Sequence, residues 1–235
     1  MFNSVNNIIL LGYIAIPVVL IVAFIFGHYN AERTRRTSKP LRLSTSWILV
    51  ACAWIIWSTS TTLRTPALLI ALGMTFGAIG DLVLADVIPL PKRMISGILV
   101  FSIGHLCYIA GFSQTAQALG LADPLTGSLV WVLFVITAAL LWFFLIYNPT
   151  RPRVLNVGAL VYGWIIAIMA GTATALALAD PRFTLTAVGG ALFLVSDIIL
   201  GNRELRDNSW FLVHDVVWVI YIAGQALIVL TTVAI

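Results

Sequence analysis

The chain has 235 residues, of which 61% are hydrophobic and 9% charged, against roughly 45–50% apolar and about 25% charged in soluble domains. A soluble globular fold is excluded. At about 20 apolar residues per spanning helix, eight spans use about 160 residues and leave about 75 for termini and seven short loops, so no soluble domain fits beside them.

Taken in chain order, apolar runs bounded by charge, Pro or Gly predict a single all-α integral membrane domain over residues 1–235. Its eight transmembrane helices lie near 8–26, 45–61, 67–87, 94–115, 125–147, 154–179, 183–200 and 210–233. The segment Met1-Phe2-Asn3-Ser4-Val5-Asn6-Asn7 brings no basic residue before the first run, so that run reads as a retained helix and not as a signal peptide. Cys52 and Cys107 fall inside apolar runs, where a thiol behaves as a small hydrophobe, and no disulfide is expected.

The connecting loops alternate in charge. Arg33, Arg35, Arg36, Lys39 and Arg42 lie between the first two spans, Lys92 and Arg93 between the third and fourth, Arg151 and Arg153 between the fifth and sixth, and Arg203 and Arg206 between the last two. That puts 11 of the 13 Lys and Arg on one side, with Arg64 and Arg182 on the other. The positive-inside rule makes the first side cytoplasmic and sets both termini on the non-cytoplasmic side. The net charge of +4 is thereby explained without a nucleic-acid partner, and the chain is expected as a multi-pass protein of the plasma or inner membrane. Trp47, Trp142 and Trp210, near span ends, fit interfacial anchoring.

An internal echo suggests two four-helix halves of like orientation. Gly80-Asp81-Leu82-Val83-Leu84 near the end of the third span resembles Ser196-Asp197-Ile198-Ile199-Leu200 near the end of the seventh. Tyr108-Ile109-Ala110-Gly111 in the fourth recurs as Tyr221-Ile222-Ala223-Gly224 in the eighth.

Ionisable side chains within spans are costly and face the bundle interior or a wet cavity. Asp81, His105, Asp197, His214 and Asp215 all fall within about 17 Å of the cytoplasmic span ends at 1.5 Å per residue, which predicts a polar cavity opening inward. His214, Trp218, Tyr221 and Gln225 share one face of the eighth helix, and His105 and Tyr108 one face of the fourth. Gly73, Gly77 and Asp81, spaced by four, allow close helix approach beside a carboxylate. The stripe on the eighth helix also suits plain packing around one Tyr–Gln hydrogen bond.

No Lys or Arg lies within a span to neutralise Asp81 or Asp197. A buried carboxyl without such a partner moves towards its neutral form, and two at one site supply a donor and a carboxylate for general acid–base chemistry. Asp86 reads as interfacial, and Asp123, Asp180, Glu204 and Asp207 as solvated loop residues. A zinc site assembled from His105, His214, Asp81 and Asp197 is a weaker alternative. Neither a nucleophile elbow nor a phosphate-cradling Gly-rich loop is present.

Gly80-Asp81-Leu82-Val83-Leu84 with Gly97, Phe101, His105 and Tyr108 resembles the first signature of the YhhN-type lysoplasmalogenase family. Gly190-Ala191-Leu192-Phe193, Ser196-Asp197, Asn202-Arg203, Tyr221 and Gln225 resemble its second. Two departures stand out: Ile222 where the family usually has a second aromatic, and Met94 where an aromatic commonly opens the fourth helix. Both bear on the preference for the substrate's tail.

The resemblance implies hydrolysis of the vinyl ether bond of a lysophospholipid substrate within the membrane lipids; no cofactor and no metal are expected. It implies Asp81 and Asp197 as catalytic groups. His105, Tyr108, Ser196, Asn202, His214, Asp215, Tyr221 and Gln225 are the supporting residues, with Arg203 or Arg206 meeting the phosphate. A transporter or lipid-binding protein is the other class that intramembrane Asp, Tyr and Gln serve, although no span carries the central Pro-Gly break of discontinuous transporter helices.

Overall fold

The computed structural model describes residues 2–233 as eight helices: α1 (Phe2–Ile25), α2 (Lys39–Thr59), α3 (Arg64–Leu84), α4 (Arg93–Ala118), α5 (Pro124–Leu141), α6 (Arg153–Ala179), α7 (Thr184–Arg206) and α8 (Val213–Val229). All eight, counted with the single turns that extend α5, α7 and α8, are long and apolar enough to cross a membrane. The protein is therefore an all-helical, multi-pass integral membrane protein, and no strand occurs among the described residues.

The span count agrees with the hydropathy reading, but several boundaries move. The helix α2 begins at Lys39 and not near 45, because Pro40 suits a first helical turn, where its missing N–H leaves no bond unmade. Lys39 and Arg42 thus belong to the helix. Likewise α7 runs past 200 to Arg206, ending in cations that favour the negative helix terminus. By contrast α8 starts only at Val213, so His214 and Asp215 occupy its first turn, and Asp81 falls in the last turn of α3.

Neighbouring helices pair in order, and the order repeats. In the first half α1 packs on α2, α2 on α3 and α3 on α4, while in the second α5 packs on α6, α6 on α7 and α7 on α8. The halves join through α2 against α8 and, correspondingly, α6 against α4. This exchange of equivalent helices is what a duplicated four-helix unit produces. The departure is that α8 also meets α3 more closely than α4 meets α7.

The outermost helices, α1 and α5, expose rows of large apolar side chains such as Leu10, Leu11, Leu129 and Leu133, as lipid-facing helices do. At the end of α5 one π-helical turn spans Trp142–Ile146, closed by the Tyr147 N–H on the Trp142 carbonyl at 2.7 Å. Trp142 is not a simple interfacial anchor, since its indole N–H donates to the Asn156 carbonyl at 3.1 Å. Trp47 and Trp210 are exposed, as anchoring requires, and both cysteines are free.

Candidate functional site

Helix α3 approaches its neighbours through glycines. A Cβ on Gly73 would lie 2.5 Å from the Tyr108 ring and 3.0 Å from the Gly104 carbonyl oxygen, and one on Gly77 would lie 2.7 Å from the Gln225 amide. These absent side chains bring α4 and α8 against α3. A buried hydrogen-bond chain follows. The Tyr108 hydroxyl donates to Gln225 Oε1 at 2.6 Å, Gln225 Nε2 donates to the Tyr221 oxygen at 3.2 Å, and the Tyr221 hydroxyl donates to Asp81 Oδ2 at 3.0 Å. The Ser46 hydroxyl donates to the same Oδ2 at 2.5 Å. Both donors converge on one oxygen, and no described group bonds Oδ1, which is left for the space Asp81 faces.

Asp197 is held in a related way. The Tyr162 hydroxyl of α6 donates to its Oδ2 at 2.5 Å. Ser46 and Tyr162 stand at the same remove, 35 residues, from the carboxylate each serves. The second helix of each half thus supplies a hydroxyl to the aspartate on the third.

Both carboxylates line a single cavity of about 360 Å3 that reaches the end of the bundle carrying most of the cations. Around its mouth stand Arg35, Lys39, Arg42, Arg93 and Arg203, with Asp86, Glu204 and His214 between them; Tyr162, Trp218, Tyr221 and Phe101 line it further. Glu204, expected as a solvated loop residue, is instead within α7 and pairs with Arg203 at 2.9 Å. The Arg42 guanidinium lies 4.9 Å from the centroid of the Trp218 ring, and its Nε is buried without a hydrogen-bond partner. Among the described residues neither Asp81 nor Asp197 has a cationic partner within ion-pair distance. A cation short of an anion and two carboxyls short of a cation share the cavity without pairing.

Other residues singled out from the sequence serve elsewhere. His105 is buried edge-on against Phe193, 4.5 Å between centroids, with Nε2 3.4 Å from the Tyr162 oxygen. It backs Tyr162 and does not line the cavity. Tyr108 and Gln225 support Tyr221 from behind. Ser196 donates to the Phe193 carbonyl of its own helix at 2.7 Å, and its hydroxyl also lies 3.3 Å from Asp197 Oδ1, so it supports that carboxylate. Asn202 donates to the Leu145 carbonyl at 2.5 Å, and Arg206 to those of Tyr147 and Phe143. Both satisfy carbonyls that the π-helical turn leaves open, so neither reaches the cavity.

Asp215 is also structural. It accepts the Arg36 N–H at 2.6 Å, the Thr37 N–H at 3.1 Å and the Thr37 hydroxyl. The loop before α2 is thereby tied across the start of α8, aided by the N–H groups of Leu212 and His214 on the carbonyls of Arg33 and Thr34. No three His, Cys, Asp or Glu side chains among the described residues converge as a metal site. His105, His214, Asp81 and Asp197 are accordingly not gathered into the ligand set of the zinc alternative. The two departures separate as well. Met94 lines the cavity, whereas Ile222 is buried in the core.

Sequence reading missed Ser46, Tyr162 and Arg42. The equal spacing from Asp81 and Asp197 signals the first two once the halves are superposed, but serine and tyrosine share no identity to draw the eye. Arg42 stands before the second apolar run, where hydropathy reads a loop.

These features define a polytopic membrane protein with a paired-carboxylate cavity below a basic mouth. The chain belongs to the YhhN family, whose model matches residues 34–232. Membership suggests a membrane-hydrolase type of role. No curated protein and no solved structure matches the chain.

Proposed function

We propose that the protein hydrolyses the vinyl ether bond of lysoplasmalogens, releasing a fatty aldehyde and glycerophosphoethanolamine or glycerophosphocholine. The observation that carries this reading is the convergence of Asp81 and Asp197 on one cavity without cationic partners. Vinyl ether hydrolysis needs a proton delivered to the alkenyl carbon, a carboxylate to steady the oxocarbenium ion, and an activated water to capture it as a hemiacetal. A carboxylic acid beside a carboxylate meets those needs. The cations that line the cavity, Arg42 over Trp218 and Arg203 among them, suit the phosphodiester.

Positively charged loops favour a cytoplasmic mouth, with both termini outside and the chain in the cell membrane. Purified protein should release aldehyde from a vinyl-ether lysophospholipid. Asp81→Asn and Asp197→Asn should each lower the rate by about 100-fold or more while the fold, read by thermal unfolding, persists. Near wild-type rates in either folded variant, or cleavage confined to ester-linked lysolipids, overturns the reading.

A further inference from the structure

A second, smaller hollow adjoins the polar cavity, and the two share Met94, Ile98, Leu200, Tyr162 and Asp197 as walls. Apart from Tyr162 and Asp197, side chains of α4, α6, α7 and the end of α5 line it with apolar groups, Trp142 and Ile146 of the π-helical turn among them. Its volume is about 60 Å3. At 10–15 Å3 per water-sized group, that holds a run of about four methylenes. The hollow lies between α4, α5, α6 and α7, where α4 and α5 hardly touch each other and both lean on α6. Gly163 forms part of its wall, and a Cβ placed there meets nothing within 4 Å.

Resting on the proposed function, we infer that this side pocket takes the first methylenes of the substrate's hydrocarbon chain, and that Asp197 is the proton donor to the alkenyl carbon. Asp197 faces both spaces, whereas Asp81 faces the polar one alone. A lipid with its phosphate at the basic mouth and its chain in the side pocket sets the bond between head and chain beside Asp197.

The protonated Asp197 gives its proton to the alkenyl carbon remote from the ether oxygen, and the π electrons form the new C–H bond. Water then adds to the oxocarbenium carbon and yields a proton to the Asp81 carboxylate. On collapse of the hemiacetal its C–O bond to glycerol breaks. Asp81 returns the proton to the glycerol oxygen, and the hemiacetal hydroxyl proton passes to Asp197. Both groups finish as they began, and one water has been consumed.

Gly163→Leu fills the pocket without a backbone clash, and Gly158→Leu is its control on the same helix, since a Cβ at Gly158 also meets open space and that residue lines no part of the pocket. In full-length protein in nanodiscs, a non-cleavable alkyl-ether lysophosphocholine carrying a diazirine on a methylene next to the ether should crosslink to Trp142, Ile146 or Leu194, which line the side pocket and not the polar cavity. Gly163→Leu should abolish those crosslinks and Gly158→Leu should keep them. With vinyl-ether substrates, Gly163→Leu should lower kcat/KM for a palmityl-length chain by at least about tenfold and leave a bare ethenyl ether, which has no methylene to place in the pocket, within about twofold. Crosslinks elsewhere, or an equal loss for both substrates, overturn the pocket.

Pocket crosslinks without aldehyde release would sink the proposed hydrolysis and not the pocket; release without them does the reverse. Azide tests the acid assignment, because it can capture the oxocarbenium ion without a base. It should restore turnover to Asp81→Asn, forming the azido ether, and not to Asp197→Asn. Rescue of Asp197→Asn alone, or of neither, overturns that assignment.

Discussion

Tyr221 touches four neighbours in and behind the site at once, which makes it the most informative single position. Its hydroxyl gives a hydrogen to Asp81 and takes one from Gln225, and its ring stands 5.2 Å from Phe193 and 5.4 Å from Trp218. Tyr221→Phe keeps the ring and strands the Gln225 amide N–H, so a loss of about 1–3 kcal/mol is expected in chemical unfolding in detergent. Tyr108→Phe strands the carbonyl of the same amide at a similar cost. Because both act through Gln225, the double variant should lose at least about 0.5 kcal/mol less than the sum of the two. At this scale much was legible. The three-and-four spacing set Tyr221 and Gln225 on one face, and the absence of an intramembrane base marked Asp81 and Asp197. The roles of Asn202 and Asp215 were hidden, since a polar residue at a helix end reads alike whether it caps a loop or meets a ligand.

Among the elements, α3 shows how packing depends on what is missing. Gly73→Ala sets a methyl against an aromatic ring and a backbone carbonyl, neither of which can yield. A destabilisation of about 1–3 kcal/mol should follow, measured as a lower midpoint of thermal unfolding. Gly158→Ala on α6 meets open space and should leave that midpoint unchanged or raise it slightly through better helix propensity. The existence of every helix could be read from apolar runs, yet the ends of α2, α7 and α8 could not. A charged turn continues a helix as readily as it leaves one, and hydropathy sees only the charge. For that reason hydropathy alone puts Arg42 and Arg203, two of the cations on the cavity wall, in loops. The π-helical turn had no sequence signal, and its open carbonyls account for two polar residues otherwise mistaken for site groups.

For the molecule as a whole, the alternation of charge and the repeated neighbour order describe two like-oriented four-helix halves. The echo from Asp81 to Asp197 made this legible, and the matched hydroxyls of Ser46 and Tyr162 extend it to residues that share no identity. An alkaline phosphatase fused to the C-terminus should be active outside the membrane, and a fluorescent protein fused there should stay dark. The reverse pattern in both would invert the expected topology. The polar cavity and the side pocket meet at Asp197 and then diverge, one among the cations and the other among the apolar side chains of α4, α5, α6 and α7. A molecule cut at that junction leaves two fragments in separate spaces, so neither has to vacate the other's. Glycerophosphocholine and a long-chain aldehyde should therefore inhibit together without excluding each other, and plots of inverse rate against one at fixed levels of the other should give intersecting, not parallel, lines.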